Sequence, residues 1–530
     1  METDIATMVK WFDWLFQKTA VLARHRVAMC FLAAAIPIAI RVAALPFIPM
    51  PYPFVHDEFS YLLGADTLAS GRLTNPPHPM WVHFETFHEN FQPTYESKYP
   101  PGPALFMAAG QKLLRHPWFG VCLSFGVMCA SICWMLQGWL PPVYALLGSL
   151  VAIGQLGIFG SWMDSYWGGA VPAIGGSLVL GAVPRLVKGS SVSASLLGGL
   201  GLMILANSRP YEGLALTVGA VAGLLWWRRR HWGGRRWMDL LKPRVLLPGL
   251  LVCIASLGWT AFYNYRGTGN PLLMPYVLYT RLYAASPSFY LAPAPPEPVY
   301  RHAVLRDFWI DFEKSYYLKM RRNPLRLAEV VMFIVPFYAS TLLFLPILAG
   351  LVGFTRSPKM RVVMGALAVL SAALLLEKSW LPHYFAPGAA LVFVPAMFSL
   401  RWLRIRLGAI GAAVVLTFVA CIFGHGLAAG YFARSNRGKP PQEQAIEKIL
   451  AGGKPGERHL VIVRYSPGHS PHVEYVFNRA NIDGSQIVWA RDMGAAKNKE
   501  LLDYYPDRRV WLLQPDGPPL SLVPYEKTPP

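Results

Sequence analysis

PFVHDEFSYLLGADTLASGRLTNPPHP (53–79) decides how the chain is read, because it couples an apolar stretch to an acid-rich one. Just before it, Val27–Ile48 is apolar and long enough to cross about 30 Å of hydrocarbon, which takes about 20 residues. Asp57 and Glu58 therefore stand at a membrane–water boundary. Tyr61, Leu62, Ala65 and Leu68 follow at helical spacing, and the pattern stops at Gly71. Between residues 53 and 98, Asp57, Glu58, Asp66, Glu85, Glu89 and Glu96 are set against only Arg72 and Lys98, with His56, His78, His83 and His88 among them. An Asp-Glu pair in a first helical turn is ordinary capping, worth roughly 0.3–1 kcal/mol. Here it adjoins a span inside a loop too long to be a mere connector, which points to function.

The composition agrees with a membrane reading. Of 530 residues, 54% are hydrophobic and 15% charged, with a mean hydropathy of +0.34. Soluble proteins are about 25% charged, so a single soluble globular enzyme is excluded. Disorder is excluded by 13% aromatics and recurrent apolar runs. Cys30, Cys122, Cys129, Cys133, Cys253 and Cys421 lie in apolar stretches without a CxxC pair, and read as small buried hydrophobes.

About 11 spans (roughly 10–13) follow from apolar length. They lie near 27–48, 118–139, 142–160, 170–187, 193–208, 211–227, 245–263, 328–353, 361–377, 385–400 and 407–430. The net charge of +20 would suggest nucleic acid in a soluble protein, so its placement has to decide. Arg185 and Lys188, WWRRRHWGGRRW (226–237), TRSPKMR (355–361) and RWLRIR (401–406) fall on alternate sides, as inner loops should. Residues 1–26 read as a cytoplasmic interfacial amphipathic helix rather than a cleavable signal peptide. Residues 27–430 form the transmembrane unit, with outer loops 49–117 and 264–327. The second loop holds nine Lys/Arg against four Asp/Glu. Residues 431–530 read as a small soluble α/β domain outside, from the strand-like runs 459–465, 486–491 and 509–514 around a helical 495–505.

Four further segments bring ionisable residues to outer boundaries. YESKYPPGPALF (95–106) offers Lys98 as a fixed charge, with Pro100-Pro101 holding the chain extended before a helix. SWMDSYWGGAVPAIGG (161–176) sets Asp164 and Tyr166 between Trp162 and Trp167, and an acid at the bilayer edge needs a partner. NSRPYEG (207–213) adds Arg209 and Glu212, as a salt bridge or as substrate contacts. EKSWLPHYFAP (377–387) adds Glu377, Lys378 and His383 where two spans meet. Acids and bases thus converge on one face, while the inner face carries mainly Arg and Lys.

HDEFSYLLGADTLASGRL (56–73), ESKYPPGPALF (96–106) and LPHYFAPGAALV (381–392) together resemble the multispanning GT-C glycosyltransferases, especially the protein O-mannosyltransferases and lipid A aminoarabinose transferases. The first resembles that family's first-loop motif. The second resembles its Glu-Lys-Pro-Pro-Leu stretch with Ser97 and Tyr99 inserted, and the third its late Tyr-x-x-Pro segment. The resemblance covers the chain to about residue 430. It implies a polytopic α-helical membrane protein of GT-C type in a bacterial-type cytoplasmic membrane, active on the extracytoplasmic side. The implied enzyme is an inverting hexosyl- or pentosyltransferase. It moves a sugar from a polyprenyl-phosphate donor to a lipid, glycan or protein acceptor, with membrane lipids but no nucleic acid as partners.

In that reading Asp57 is the catalytic base, and Glu58 orients it or shares its role. Lys98, Arg209, and Lys378 or His383 receive the charge of the leaving phosphate, while Tyr166 and Glu212 border the substrate. Asp164 holds a sugar hydroxyl or an acceptor amine. Asp57, Glu58 and Glu96 offer oxygen ligands to a divalent metal ion, and no HExxH or paired-His spacing decides for or against one. Arg301, Arg306, Arg321 and Arg322 are expected near anionic headgroups or the carrier phosphate. The rival reading is a transporter or flippase of lipid-linked sugars, which would bind near the bilayer midplane through broken helices and intramembrane charges. Against it, the helix interiors read as nearly uncharged.

Overall fold

The computed structural model describes residues 2–232, 236–323, 325–354, 357–435, 438–454, 456–517 and 520–525. Parts of two basic loops (233–235 and 355–356) and the last residues of the tail (526–530) lie outside the described residues. The fold is mostly helical. Five helical segments are long and apolar enough to cross a membrane: Arg26–Ala43, Trp118–Trp139, Ala170–Lys188, Pro243–Thr268 and Ala386–Ser435. A sixth is counted if Val331–Tyr338 and Thr341–Ala349, bent by 89°, cross as one unit. The chain is thus a membrane protein, with five or six such spans among the described residues against the about 11 read from apolar runs alone.

Several of the other apolar runs fold as helices shorter than a full span or are broken. Gly157, with φ +80°, ends the helix Pro142–Leu156 before it reaches spanning length. Val192–Ala206 is likewise apolar but short, capped by Ser191, whose hydroxyl accepts from the Ala194 N–H at 3.2 Å. The stretch expected as one span over 328–353 is broken between Tyr338 and Thr341. RWLRIR (401–406) is helical rather than a loop, and Gly408, with φ 55° and ψ −131°, marks the kink where two helices meet within Phe393–Ser435.

Burial separates two kinds of helix. Phe125, Met128, Cys129 and Ile132 of Trp118–Trp139 lie in the core. Leu250, Leu251, Ile254 and Leu257 of Pro243–Thr268 face outward, as a lipid-facing stripe should. The amphipathic helix Glu2–Leu22 leaves Trp11 and Trp14 exposed, and its Asp13 pairs with Arg404 at 2.6 Å. Arg41, in the last turn of Arg26–Ala43, is fully buried.

The acid-rich stretch folds as the helix His56–Ala69, packed against Gly102–Leu114 and beside a short antiparallel hairpin, β1 (Glu89–Asn90) and β2 (Glu96–Ser97). The C-terminal part forms a four-stranded sheet in the order β4-β3-β5-β6. β3 (His459–Val463) runs parallel to β4 (Ile487–Arg491) and β5 (Arg509–Gln514), and β6 (Ser521–Pro524) closes antiparallel. Helices Pro441–Ala451 and Ala495–Tyr504 accompany it. The sheet layer packs on the first outer segment, where Leu63, Phe84, Phe91 and Tyr95 share one core with Leu460, Ile482, Val488 and Leu501.

Candidate active site

Asp57 opens the helix His56–Ala69, so its carboxylate lies at the end of the helix where N–H groups point outward. Its side chain is 27% exposed, and the Tyr99 hydroxyl donates to Oδ1. On the other side, His88 Nε2 lies 3.8 Å from Oδ2. The Lys98 ammonium donates to His88 Nδ1 at 2.9 Å. An ammonium can only donate, so Nδ1 accepts and the ring proton sits on Nε2, facing Asp57. Burial, together with Lys98, holds the His88 imidazole well below its usual range, so it is neutral at pH 7. A chain of Lys98, His88 and Asp57 results, with Tyr99 closing the far side.

His88 carries backbone strain. Its φ of 64° is left-handed, a region disfavoured for a residue with a side chain. Three bonds hold it there. Its N–H donates to Tyr279 Oη at 2.8 Å, and its carbonyl accepts from Ser60 Oγ at 2.6 Å and Lys98 N at 3.1 Å.

Three cations gather around this corner, each differently partnered. Lys98 lies 4.9, 5.2 and 4.8 Å from the ring centres of Tyr99, Tyr276 and Tyr279. Burial pulls its ammonium down to about 8, with Asp57 opposing the shift. Arg209 pairs with Glu212 at 3.2 Å and covers the Tyr384 ring at 4.3 Å. Lys378 pairs with Glu313 and donates to Ser286 Oγ at 2.9 Å. Lys98 alone of the three is held by a neutral imidazole and ring faces rather than by a carboxylate, so its charge is the least compensated. His383 packs on Trp167, and burial, then Arg209, holds its imidazole well below the usual range. His383 is therefore neutral at pH 7, and of that pair of candidates Lys378 is the one paired with a carboxylate, Glu313. An open cleft beside Lys98 is lined by Pro100, Asn207, Thr260, Tyr263 and Tyr276.

Other expected residues are placed elsewhere by their partners. Glu58 Oε2 accepts from the N–H groups of Phe54 and Val55 at 2.7 and 3.1 Å, and Oε1 from Tyr166 N at 2.9 Å. It closes a capping box and ties the 161–169 turn to the helix start. Its oxygens serve the backbone. Tyr166 is buried, and its hydroxyl donates to Pro51 O at 2.8 Å. Asp164 is also buried. Arg41 donates to its Oδ1 through Nε and Nη2 at 3.0 and 2.9 Å, and Arg434 Nε lies 3.5 Å from Oδ2. Asp164 therefore has its partner in Arg41 and does not face the Asp57 corner with a free oxygen.

The oxygen set Asp57, Glu58 and Glu96 does not converge. β2 turns Ser97 toward Ser60 and Glu96 to the opposite face, against Gly267, where a Cβ would lie 2.4 Å from Oε2. Among the described residues, no group of three or more His, Cys, Asp or Glu is placed to hold a metal ion. No step is therefore routed through one. Burial pushes the Glu96 carboxyl up to about 8. Arg301 pairs with Glu85 at 3.1 Å, Arg306 with Asp307 and Asp311 at 3.0 and 3.4 Å, and Arg321 donates to Tyr317 Oη at 2.8 Å. Three of the four arginines singled out in 264–327 thus have intramolecular partners.

Sequence reasoning missed His88, Tyr99, Tyr276, Tyr279 and Arg41. Tyr99 stood in plain view beside Lys98, and His88 was one histidine among four; neither had a spacing signal. Tyr276 and Tyr279 come from the helix Pro275–Tyr283, far along the chain, and only folding brings them to Lys98.

No family model matches this chain, and no curated protein matches it in sequence. Solved structures match it in fold. ArnT from Cupriavidus metallidurans, solved apo and bound to undecaprenyl phosphate, is 13% identical with a TM-score of 0.51, over 91% of this chain and 92% of that one. The oligosaccharyltransferase of Archaeoglobus fulgidus is 12% identical with a TM-score of 0.43, over 92% of this chain and 69% of that one. ArnT, the lipid A aminoarabinose transferase, is a GT-C glycosyltransferase, and this chain shares its fold.

Proposed function

We propose that the protein is an inverting membrane glycosyltransferase, transferring a sugar from a polyprenyl-phosphate donor to a hydroxyl-bearing acceptor on the extracytoplasmic side of a bacterial-type cytoplasmic membrane. The observation that carries the reading is the partly open Asp57 carboxylate, oriented by Tyr99 and His88 beside the weakly compensated Lys98 ammonium. It stands in a fold shared with ArnT, whose structure holds undecaprenyl phosphate.

The chemistry follows from those groups. The acceptor hydroxyl gives its proton to Asp57 while its oxygen bonds to the anomeric carbon. The bond from that carbon to the carrier phosphate breaks on the opposite face, which inverts the centre. The departing phosphate takes the electron pair, and Lys98, with Arg209 and Lys378, meets the charge that develops there. His88 keeps its proton on Nε2, 3.8 Å from Asp57, whereas a charged His88 would lower the basicity of the carboxylate. Placement of the ionisable groups at outer helix ends favours this reading over a transporter, which would need its site near the midplane.

Replacing the base tests the assignment. Asp57→Asn should cost roughly 10²–10⁴ in transfer rate, with binding of undecaprenyl phosphate nearly unchanged. Turnover at the wild-type rate would refute Asp57 as the base.

A further inference from the structure

Residues 466–480 of the C-terminal layer end over the Asp57 site, and the transfer chemistry above makes no use of them. Two clamps hold this loop. Buried Glu474 accepts from the N–H groups of Tyr475 and Val476, both at 2.8 Å, and pairs with Arg491 at 2.6 Å. Arg491 Nε in turn donates to Glu85 O at 2.6 Å, on the first outer segment. Farther along, Tyr95 donates to Asn478 O at 2.9 Å, and Asp66 accepts from Arg479 and from Ala480 N at 2.9 and 3.0 Å. Both ends of the loop are therefore fixed to the segment that carries Asp57.

What the loop brings is aromatic. Phe477 stacks on Phe59, with ring centres 4.0 Å apart and planes within 2°. His472 is exposed, 4.5 Å from Phe312 and 6.4 Å from His56, the residue next to Asp57. Phe312 is itself 43% exposed and precedes Glu313, the partner of Lys378. It sits in a π-helical turn, Asp307–Lys314, a geometry rare enough to be concentrated at functional sites. Ring faces thus run from the C-terminal layer to the base and the cations.

We propose that this loop is the acceptor-side wall of the site, and that His472 and Phe477 select an acceptor presenting a sugar ring. The proposal rests on the transferase reading for the role of Asp57. A pyranose has a face of C–H groups that lies flat on aromatic rings, and an edge of hydroxyls that needs polar partners. Phe312 and Phe477 supply the first, His472 and Asp57 the second. A peptide in extended form would instead seek main-chain partners, which a wall of side-chain rings does not supply.

Saturation-transfer NMR on the full-length protein tests this, with methyl α-mannopyranoside and methyl β-glucopyranoside as probes and undecaprenyl phosphate binding measured in parallel. Wild-type protein should saturate the ring C–H protons of at least one glycoside. His472→Ala and Phe477→Ala should each weaken that signal at least fivefold, without changing undecaprenyl phosphate affinity. His472 is exposed, so its variant does not threaten the fold. Absence of saturation in the wild type, or an undiminished signal in both variants, would overturn the proposal. A loop-dependent glycoside signal without undecaprenyl phosphate binding would instead sink the transferase reading and leave the sugar wall standing.

Discussion

Asp57 and Asp164 both stand in segments beside helix ends, yet the structure treats them in opposite ways. Asp57 keeps a partly exposed carboxylate, met by a hydroxyl and a neutral imidazole. Asp164 is buried, held by two bonds from Arg41 with Arg434 close by. A carboxylate bound by guanidinium has its lone pairs and charge already committed, whereas one held by weak donors retains basicity for a substrate proton. Location at the membrane boundary therefore says little about which acid reacts. The partner decides.

Five variants probe that contrast. The largest catalytic effect belongs to Asp57→Asn, whose loss of transfer should come without any loss of thermal stability. Asp164→Leu should do the reverse. It leaves Arg41 buried with its main counter-charge gone, costing roughly 3–5 kcal/mol in a denaturation experiment, while the molecules that remain folded turn over normally. Equal stability losses in the two variants would erase the distinction.

Lys98→Arg sharpens the comparison from the cation side. Burial brings the Lys98 ammonium down to about 8, so it is charged below that pH and loses its charge as pH rises through it. Wild-type activity should fall about tenfold for each pH unit above 8. Arginine remains charged there, so the variant should keep its activity level to beyond pH 9. A wild-type profile that stays flat to pH 9.5 breaks the assignment.

Glu96 offers a third carboxyl, buried without any cation, and raised by burial from 4.5 to about 8. The folded protein keeps a proton there that the unfolded chain has released. Its contribution to stability is therefore full below pH 4.5 and lost as pH rises through 8. Glu96→Gln should match the wild type near pH 4 and be more stable by roughly 1–3 kcal/mol at pH 9, read from denaturant midpoints. The smallest effect is expected from Arg306→Ala, which removes an exposed pair with Asp307 and Asp311 and should change stability by about 1 kcal/mol or less.

How much of the site was legible varies residue by residue. Asp57 and Lys98 could be found because each stands in a run that interrupts an apolar pattern. Glu58 was legible as a cap and as an acid, and only its three backbone donors show which role its oxygens fill. His88 could not be ranked above His56, His78 or His83, since its selection depends on a contact to Lys98 across the β1–β2 hairpin. Arg41 was hidden inside an apolar run, and its function is visible only with Asp164 opposite.

The sequence by itself determined that the chain is a helical membrane protein whose acids lie at helix boundaries, because hydrophobic length and charge placement are properties of a single segment. It also determined the motifs that pointed to the GT-C class. It could not show where a helix ends within an apolar run, as at Gly157, or where one breaks, as between Tyr338 and Thr341. Tertiary structure alone decided which carboxylate stays partly exposed, which cation lacks a carboxylate partner, and that a loop some 400 residues away reaches the start of the helix His56–Ala69, with His472 6.4 Å from His56. Those are differences in who faces whom. Electrostatics and hydrogen bonding act over a few ångströms of space, and sequence separation carries no information about that distance.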